Sequence, residues 1–248
     1  MPDLFPADFT ALQIGLVALI FIWTGFVRSG LGFGGAALGL PLMLFVLAQP
    51  IYWLPIIGAH LLFFSALTLR TRLHNVDWKY LRRSSVYIVP SALVGVLGLL
   101  NLPNSWLVVF VYTITLIYAC LWVLEIDIKS ENEWVDKSLL IAGGYVAGTS
   151  LTGAPLMIAV FMRNVVFEKL RDTLFVLWFV LVSIKMTAFI SLSVDLHFLT
   201  AVALLPIAAI GHYAGLKAHQ MILKNDKVFK RVMGGLLIII SVLGLVNV

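Results

Sequence analysis

Charged residues are scarce in this sequence of 248 residues, because Asp, Glu, Lys and Arg together make up only 12% of it. Soluble domains average about 25% charged and about 45–50% apolar residues, whereas 61% of this chain is hydrophobic. The scarcity excludes an ordinary soluble domain and predicts an all-α protein that crosses a membrane many times. The net charge of +5 then reflects how the loops are oriented in the membrane, and we expect no nucleic-acid partner.

Cysteine and buried carboxylates are also scarce. The one cysteine, Cys120, excludes an internal disulfide and lies in an apolar run, where packing is its expected role. No Asp or Glu lies clearly inside an apolar run, which argues against a carboxylate proton relay. We therefore expect no catalytic residues, no metal site and no cofactor. Residues 1–10 carry Asp3 and Asp8 without a basic stretch, so we expect no cleavable signal peptide.

Ten apolar runs follow one another along the chain, at 11–27, 31–48, 51–69, 84–101, 105–124, 138–150, 155–162, 172–193, 198–216 and 232–247. Most are long enough to cross a membrane as helices, which takes about 20 residues. The run 155–162 is too short, because as a helix it rises only ~12 Å. It follows a stretch rich in glycine and hydroxyl groups, so we predict a broken helix or a hairpin over 138–162.

Basic residues are confined to alternate loops. When the runs are numbered in order, all of the 17 lysines and arginines except Lys185 follow an odd-numbered run. The other side carries only Asp195 and the N-terminal Asp3 and Asp8. The positive-inside rule makes the basic side cytoplasmic. We therefore expect a multi-pass protein of the cell inner membrane with both termini outside the cytoplasm.

Two motifs recur between the halves of the chain. Gly34-x4-Gly39-x-Pro41-Leu42-Met43 recurs 114 positions later as Gly148-x4-Gly153-x-Pro155-Leu156-Met157. A weaker echo, 116 positions apart, joins Pro90-x4-Gly95 to Pro206-x4-Gly211. Glycine and proline are frequent in membrane helices, so the second match carries little weight by itself.

These repeats predict two related halves. Five apolar segments per half is an odd number, so the second half is inverted relative to the first. We predict a first membrane repeat at 1–124, a cytoplasmic connector at 125–137 and a second repeat at 138–248. Each repeat would contain one helical hairpin interrupted by glycine and proline, followed by three transmembrane helices.

Helices interrupted inside a membrane can bind anions. Glycine lets a helix break and proline starts the next one, so we place the breaks at Gly39, Pro41, Gly148 and Pro155. A helix that begins at a break turns unpaired N–H groups and its positive dipole end toward it. We predict that the two breaks share one substrate site at mid-membrane, formed by Arg28, Ser29, Gly32, Phe33, Gly34, Gly35, Ala36, Thr149, Ser150, Thr152 and Gly153. The alternative is that these glycines only allow close helix packing.

Two polar residues inside apolar runs are added to this site. Lys185 lies deep in 172–193, where a charge is costly and usually faces a cavity or a partner. Snorkelling toward the membrane surface is the alternative for this lysine. His60 lies centrally in 51–69, with a hydrogen-bonded packing role as its alternative. His212 lies in a similar position in 198–216.

Three stretches carry a resemblance to a known family. They are Gly-Leu-Gly-Phe-Gly-Gly at 30–35 leading to Pro41-Leu42, its counterpart from Gly148 to Pro155, and Arg70-x-Arg72 followed by Val76-Asp77-Trp78-Lys79. The sequence resembles the TauE/SafE family of sulfite exporters over nearly its whole length. The resemblance implies export of a small sulfur-containing anion, such as sulfite, sulfoacetate or a related organosulfonate.

We therefore expect a transporter that exports a small anion by alternating access and has bilayer lipid as its surroundings. The substrate, a coupling ion and a homo-oligomeric state are left open. A transporter of the same fold for another small solute is the first alternative, and a channel is another. A membrane-embedded enzyme would need clustered catalytic residues, whereas His74 with Asp77 and Asp195 with His197 fall on opposite sides.

Overall fold

The computed structural model describes residues 4–31, 35–129, 132–224 and 226–248, with side chains left out at 219–224 and 226. All regular structure in these residues is helical. One short 3₁₀ helix spans Leu73–Asn75. The ten α-helices are α1 (Ala11–Leu31), α2 (Gly35–Val46), α3 (Pro50–Leu69), α4 (Trp78–Asn101), α5 (Asn104–Val123), α6 (Glu133–Ser150), α7 (Ala154–Asn164), α8 (Phe167–Ser191), α9 (Phe198–Lys224) and α10 (Asp226–Val246).

Seven of the described helices are long and apolar enough to cross a membrane, namely α1, α3, α4, α5, α8, α9 and α10. The ten predicted apolar runs each correspond to one helix. The chain is therefore a polytopic helical membrane protein, as the composition indicates. The short helices α2 and α7 have 12 and 11 residues, so they rise only ~18 Å and ~16 Å, well below the ~30 Å hydrocarbon core.

Several helices continue past the ends of their apolar runs. Helix α8 begins at Phe167, and α9 continues to Lys224 with α10 starting at Asp226, so most of the basic stretch 217–231 is helical. Helix α6 likewise begins within the predicted connector 125–137, because Asn132 caps it by accepting from the N–H groups of Trp134 and Val135, each at 3.0 Å. Hydropathy marks where a helix leaves the lipid, whereas capping decides where it ends.

The described chain forms two compact units, and one boundary between them, at 127/128, falls within the predicted connector 125–137. Unit 1 consists of 1–56, 103–127 and 197–248, and unit 2 consists of 57–102 and 128–196. Each unit therefore takes helices from both halves of the sequence. The division into two repeats stays a prediction.

Unit 1 is organised around the contact between α1 and α9, with α2, α5 and α10 packed beside them. Glycines set the spacing of the central pair. A Cβ on Gly25 would strike the carbonyl of Ala208, and a Cβ on Gly211 would strike the carbonyl of Ile22. The two backbones therefore approach as closely as small residues allow. A buried apolar cluster of Val27, Leu38, Ala119 and Leu237 joins α1, α2, α5 and α10.

Unit 2 is organised around the contact between α4 and α6, with α7 and α8 beside them. Glycines again set the spacing. A Cβ on Gly148 would strike the carbonyl of Ala92, and a Cβ on Gly95 would strike the carbonyl of Tyr145. In the predicted repeats, α1 corresponds to α6 and α4 corresponds to α9. The pair of α1 with α9 in unit 1 is therefore equivalent to the pair of α6 with α4 in unit 2, with each repeat supplying the opposite member. This equivalence supports two related halves.

The ends of each hairpin meet. In unit 2 the Asp136 carboxylate, in the first turn of α6, lies 3.3 Å from the Arg163 guanidinium at the end of α7. Asn164 also donates to that carboxylate, at 3.2 Å. In unit 1 the Gln13 side chain near the start of α1 donates to the carbonyl of Val46 at the end of α2, at 3.4 Å. Each hairpin therefore leaves on the side where it enters.

Candidate functional site

The break in unit 2 lies between the end of α6 at Ser150 and the start of α7 at Ala154. Leu151 makes the turn with φ 61°, in the left-handed region, and its N–H donates to the carbonyl of Ala147 at 3.0 Å. A leucine in this conformation is strained by roughly 1–2 kcal/mol. Gly153 precedes α7 and Pro155 is its second residue, without a side-chain cap on the helix. The start of α7 therefore keeps backbone donors that no side chain caps.

The hydroxyl groups at this break are buried and bonded within unit 2. Thr149 has one hydroxyl proton, and its oxygen lies 3.0 Å from the carbonyl of Tyr145 and 3.2 Å from that of Gly95. Ser150 lies 3.0 Å from the carbonyl of Val146, and its hydroxyl is 2.6 Å from the hydroxyl of Thr152. An anion at this point would compete with these carbonyls for the hydroxyl protons.

In unit 1 the described part of α1 ends at Leu31 and that of α2 begins at Gly35. Three of the predicted site residues, Gly32, Phe33 and Gly34, lie outside the described residues. Gly35 and Ala36 form the buried first turn of α2. The other two predicted residues, Arg28 and Ser29, are buried in the last turn of α1.

Ser29 is hydrogen-bonded to Nδ1 of His212 on α9. A Cβ on Gly215 would also contact the Ser29 side chain, so Ser29 lies in the contact between α1 and α9. The sequence does not indicate this pair, because 183 positions separate its members. The structure therefore adds His212 to the polar residues near the unit 1 break.

The predicted break residues lie differently from the expectation. Gly39 and Pro41 lie inside α2, and Gly148 lies inside α6. Only Pro155 stands at a helix start. The motif that recurs at an offset of 114 therefore aligns an interior proline with a proline in a first turn. In unit 2 the break comes at 151–153.

Contacts between backbones give another alignment of the halves. Gly25 contacts Ala208 in the way that Gly148 contacts Ala92, which pairs Gly25 with Gly148 across 123 positions. The weaker sequence echo agrees with these contacts, since Gly95 and Gly211 have matching roles.

Close packing accounts for the space around most of the motif glycines. A Cβ on Gly39 would strike Thr24, one on Gly35 would meet the Arg28 side chain, and one on Gly153 would strike the carbonyl of Gly143. These contacts hold each hairpin together. The glycines thus have the packing role that was the alternative, and a role in binding stays a prediction.

Lys185 is the most unusual residue in unit 2. It lies six residues before the end of α8 with 1% of its surface exposed, and its ammonium has no hydrogen-bond partner among the residues that the structure describes. A charge held this way inside a membrane helix is costly, so it normally serves a ligand or a partner.

His60 is also buried in unit 2, with 3% of its surface exposed. Its ring packs edge-on against Phe64, with ring centroids 6.3 Å apart. Helix α3 contacts α8 through Gly58, which would meet Met186 and Val182 if it carried a Cβ. His60 lies two positions further along α3, about 200° around the helix. His60 therefore faces away from the contact between Gly58 and α8. A site shared by His60 and Lys185 stays a prediction.

Metal ligation has no support in the described parts of the chain, where no three His, Cys, Asp or Glu residues are grouped to hold an ion. Unit 2 contains the uncapped start of α7, the buried hydroxyl groups at the break and the buried amine of Lys185. The long apolar helices define a polytopic membrane protein.

Comparison with known proteins identifies the family. The chain matches the family described as sulfite exporter TauE/SafE over residues 17–243, and it belongs to that family. No curated protein and no solved structure gives a significant match. The chain is therefore a member of a family of membrane transporters, and the resemblance found in the sequence is confirmed.

Proposed function

We propose that this protein exports a small sulfur-containing anion, such as sulfite, sulfoacetate or a related organosulfonate, by alternating access. The observation that carries the proposal is the amine of Lys185, which is fully buried and has no acceptor in the described chain. A buried cation without a protein counter-ion fits a site whose counter-ion is the substrate. Membership of a sulfite exporter family supports a sulfur oxyanion as that substrate.

Two further features support an anion. The uncapped start of α7 offers backbone N–H groups and the positive end of a helix dipole. We propose the same chemistry for the N-terminal end of α2 in unit 1, whose first described residue is Gly35. Transporters with inverted repeats commonly bind anions at such helix starts, and we propose this role for the two breaks.

Loop charge supports an orientation for export. In unit 2, Arg83 at the start of α4 pairs with Glu133 at 2.5 Å, and Asn75 donates to Asp172 at 2.7 Å. The basic loops of this unit therefore gather at one end, which we assign to the cytoplasm of the inner membrane. A monoanion that leaves an inside-negative cell gains ~2.3 kcal/mol per 100 mV. That corresponds to a gradient of about fiftyfold without a coupling ion.

Transport by purified protein in proteoliposomes tests the proposal. Vesicles that contain the protein and are loaded with sulfite should release it faster than protein-free vesicles. A membrane potential that is negative on the cytoplasmic face of the protein should accelerate transport of the anion away from that face. Lys185→Gln should abolish most of this flux. Lys217→Gln is the matched control, because Lys217 is an exposed amine over the ring of Tyr213.

The result also discriminates among the alternatives. Flux of a cation or a neutral solute but of no sulfur anion would overturn the proposal. Flux at rates that never saturate with sulfite would indicate a channel, and conversion of the substrate would indicate an enzyme. Sulfoacetate, taurine, thiosulfate and sulfate offered as competitors rank the substrates.

A further inference from the structure

Helix α8 carries three buried donors along one side. They are Nε of Arg171, Nε1 of Trp178 and Nζ of Lys185, and none has a hydrogen-bond partner in the described chain. Each residue follows the last by seven positions, which is two helical turns less about 20°. The three side chains therefore leave α8 from one narrow stripe, at intervals of ~10.5 Å. We call Arg171, Trp178 and Lys185 the donor stripe.

A fourth unpartnered polar atom comes from α3. The hydroxyl of Ser65 is buried and has no hydrogen-bond partner in the described chain, and the residue is 1% exposed. Ser65 is seven positions after Gly58, so it lies on the same side of α3 as the glycine that contacts α8. Val182 and Met186, which contact Gly58, lie about 60° and 100° around α8 from Lys185.

The two helices run antiparallel, which sets the level of Ser65. Gly58 lies beside Val182 and Met186, whereas Asn75, beyond the end of α3, donates to the carbonyl of Glu168 at 2.7 Å. Moving seven residues along α3 from Gly58 corresponds to moving about seven residues back along α8. Ser65 therefore comes level with Trp178, midway between the ends of the donor stripe.

Packing alone does not account for this arrangement. A buried donor without an acceptor costs about 1–3 kcal/mol, and such groups are rare in folded proteins. Asp172 follows Arg171 directly and lies about 100° further around α8. It accepts from Asn75 and lies 4.0 Å from Arg72, and its charge also acts on the Arg171 guanidinium. Trp178 and Lys185 lie ~9 Å and ~20 Å further along the axis, and no other carboxylate follows Asp172 on α8.

We propose that the donor stripe and Ser65 form a path along which an oxyanion passes between the basic end of α8 and Lys185. The proposal rests on the proposed function, because it describes how the exported anion reaches that lysine. Arg171 receives the anion, Trp178 and Ser65 hold it midway, and Lys185 binds it at the end. A small oxyanion is shorter than the ~10.5 Å between successive donors, so it contacts them in turn.

The chemistry of these groups specifies the ligand. All are donors at neutral pH except the serine, whose hydroxyl donates or accepts. They suit an anion with several acceptor oxygens, such as sulfite or a sulfonate, and offer nothing to a cation. Long helical side chains lean toward the helix N-terminus, so the Lys185 stem extends toward the level of Trp178.

Removal of single donors tests the path. Trp178→Phe deletes the indole N–H and keeps an aromatic ring, and Ser65→Ala deletes the hydroxyl. Each should slow sulfite flux in proteoliposomes by about tenfold, which is the effect of losing one hydrogen bond to a charged ligand. The matched controls are Trp23→Phe on α1 and Ser241→Ala on α10, which delete groups that are also buried and unpartnered but belong to unit 1.

Two substitutions test Arg171, one that keeps its charge and one that removes it. Arg171→Lys should keep at least a third of the flux because it keeps the charge, whereas Arg171→Gln should lose tenfold or more and raise the sulfite concentration at half-maximal flux. Thermal unfolding without ligand shows that each variant is folded. Equal flux in wild type, Trp178→Phe and Ser65→Ala would overturn the path. Losses in Trp23→Phe and Ser241→Ala as large as those in the stripe variants would also overturn it.

The design separates the path from the function. If wild-type protein moves no sulfur oxyanion, the proposed function fails and the path fails with it. If wild type and Lys185→Gln differ as expected but the Trp178 and Ser65 variants equal wild type, the path alone fails. Loss in the stripe variants with normal flux in the controls supports both.

Discussion

The carboxylate of Asp136 lies 3.3 Å from the guanidinium of Arg163 and joins the first turn of α6 to the last turn of α7. Because the two residues are at opposite ends of the hairpin, this contact closes it at one face of the membrane. It holds in place a short helix that is too short to cross the bilayer. The hairpin and its break are thus fixed by an interaction at their base.

We expect Asp136→Asn to destabilise the protein by about 1–3 kcal/mol, since Asp136 is largely buried and two donors would lose a charged acceptor. Thermal unfolding in detergent measures the change. Glu133→Gln is the control, because its pair with Arg83 is exposed on both sides and such pairs contribute roughly 0–1 kcal/mol. Equal effects of the two substitutions would show that Asp136 does not clamp the hairpin.

We expect Lys185→Met to raise the unfolding temperature of the ligand-free protein while it abolishes sulfite transport. The methionine fills a similar volume and removes a buried charge that has no partner in the described residues. Stability and transport would then change in opposite directions, which is typical of functional sites. A lower unfolding temperature would mean that Lys185 has a structural partner instead.

The glycines at the two central helix contacts should be intolerant of alanine. A Cβ at Gly148 would strike Ala92 and one at Gly211 would strike Ile22, and both obstacles are backbone. We expect Gly148→Ala and Gly211→Ala each to cost about 1–3 kcal/mol or more. Yields of folded protein and thermal unfolding test this expectation.

Gly15 and Gly235 supply controls for the glycine test, because nothing lies within 4 Å of a Cβ at either position. Alanine there should be neutral or should stabilise the helix by up to about 1 kcal/mol. If alanine were tolerated at Gly148 and Gly211 as well as at Gly15 and Gly235, that result would contradict the close helix contacts.

Topology is tested by labelling single cysteines in intact cells in which Cys120 is replaced by serine. A cysteine at Asp195 should react with a membrane-impermeant maleimide, because we assign the loop after α8 to the outer side. A cysteine at Lys79 should react only after the cells are opened. Reaction at Lys79 in intact cells, with none at Asp195, would reverse the orientation.

The two repeat motifs differ in how well they match the helix contacts of the structure. The motif with more identities pairs Gly34 with Gly148, whereas backbone contacts pair Gly25 with Gly148. The weaker echo of Gly95 and Gly211 is the one that matches the contacts. Identity at fixed spacing counts residue types, but equivalence in a fold depends on which backbones touch. On a helix, a difference of nine residues is about two and a half turns, which leads to the opposite face.

By itself the sequence determined the class of protein, the ten helices, the basic loops and the family, whereas a role for Lys185 stays a prediction. These follow from properties of single residues and short segments, since apolar length and charge act locally on membrane insertion. The spacing of seven positions between Arg171, Trp178 and Lys185 is also visible in the sequence.

Only the tertiary structure decided which donors lack acceptors, that Ser29 bonds to His212, and that the chain folds as two units drawn from both halves. The physical reason is that partners meet across more than a hundred positions. Whether a buried polar group is satisfied depends on those partners and not on its neighbours in the sequence.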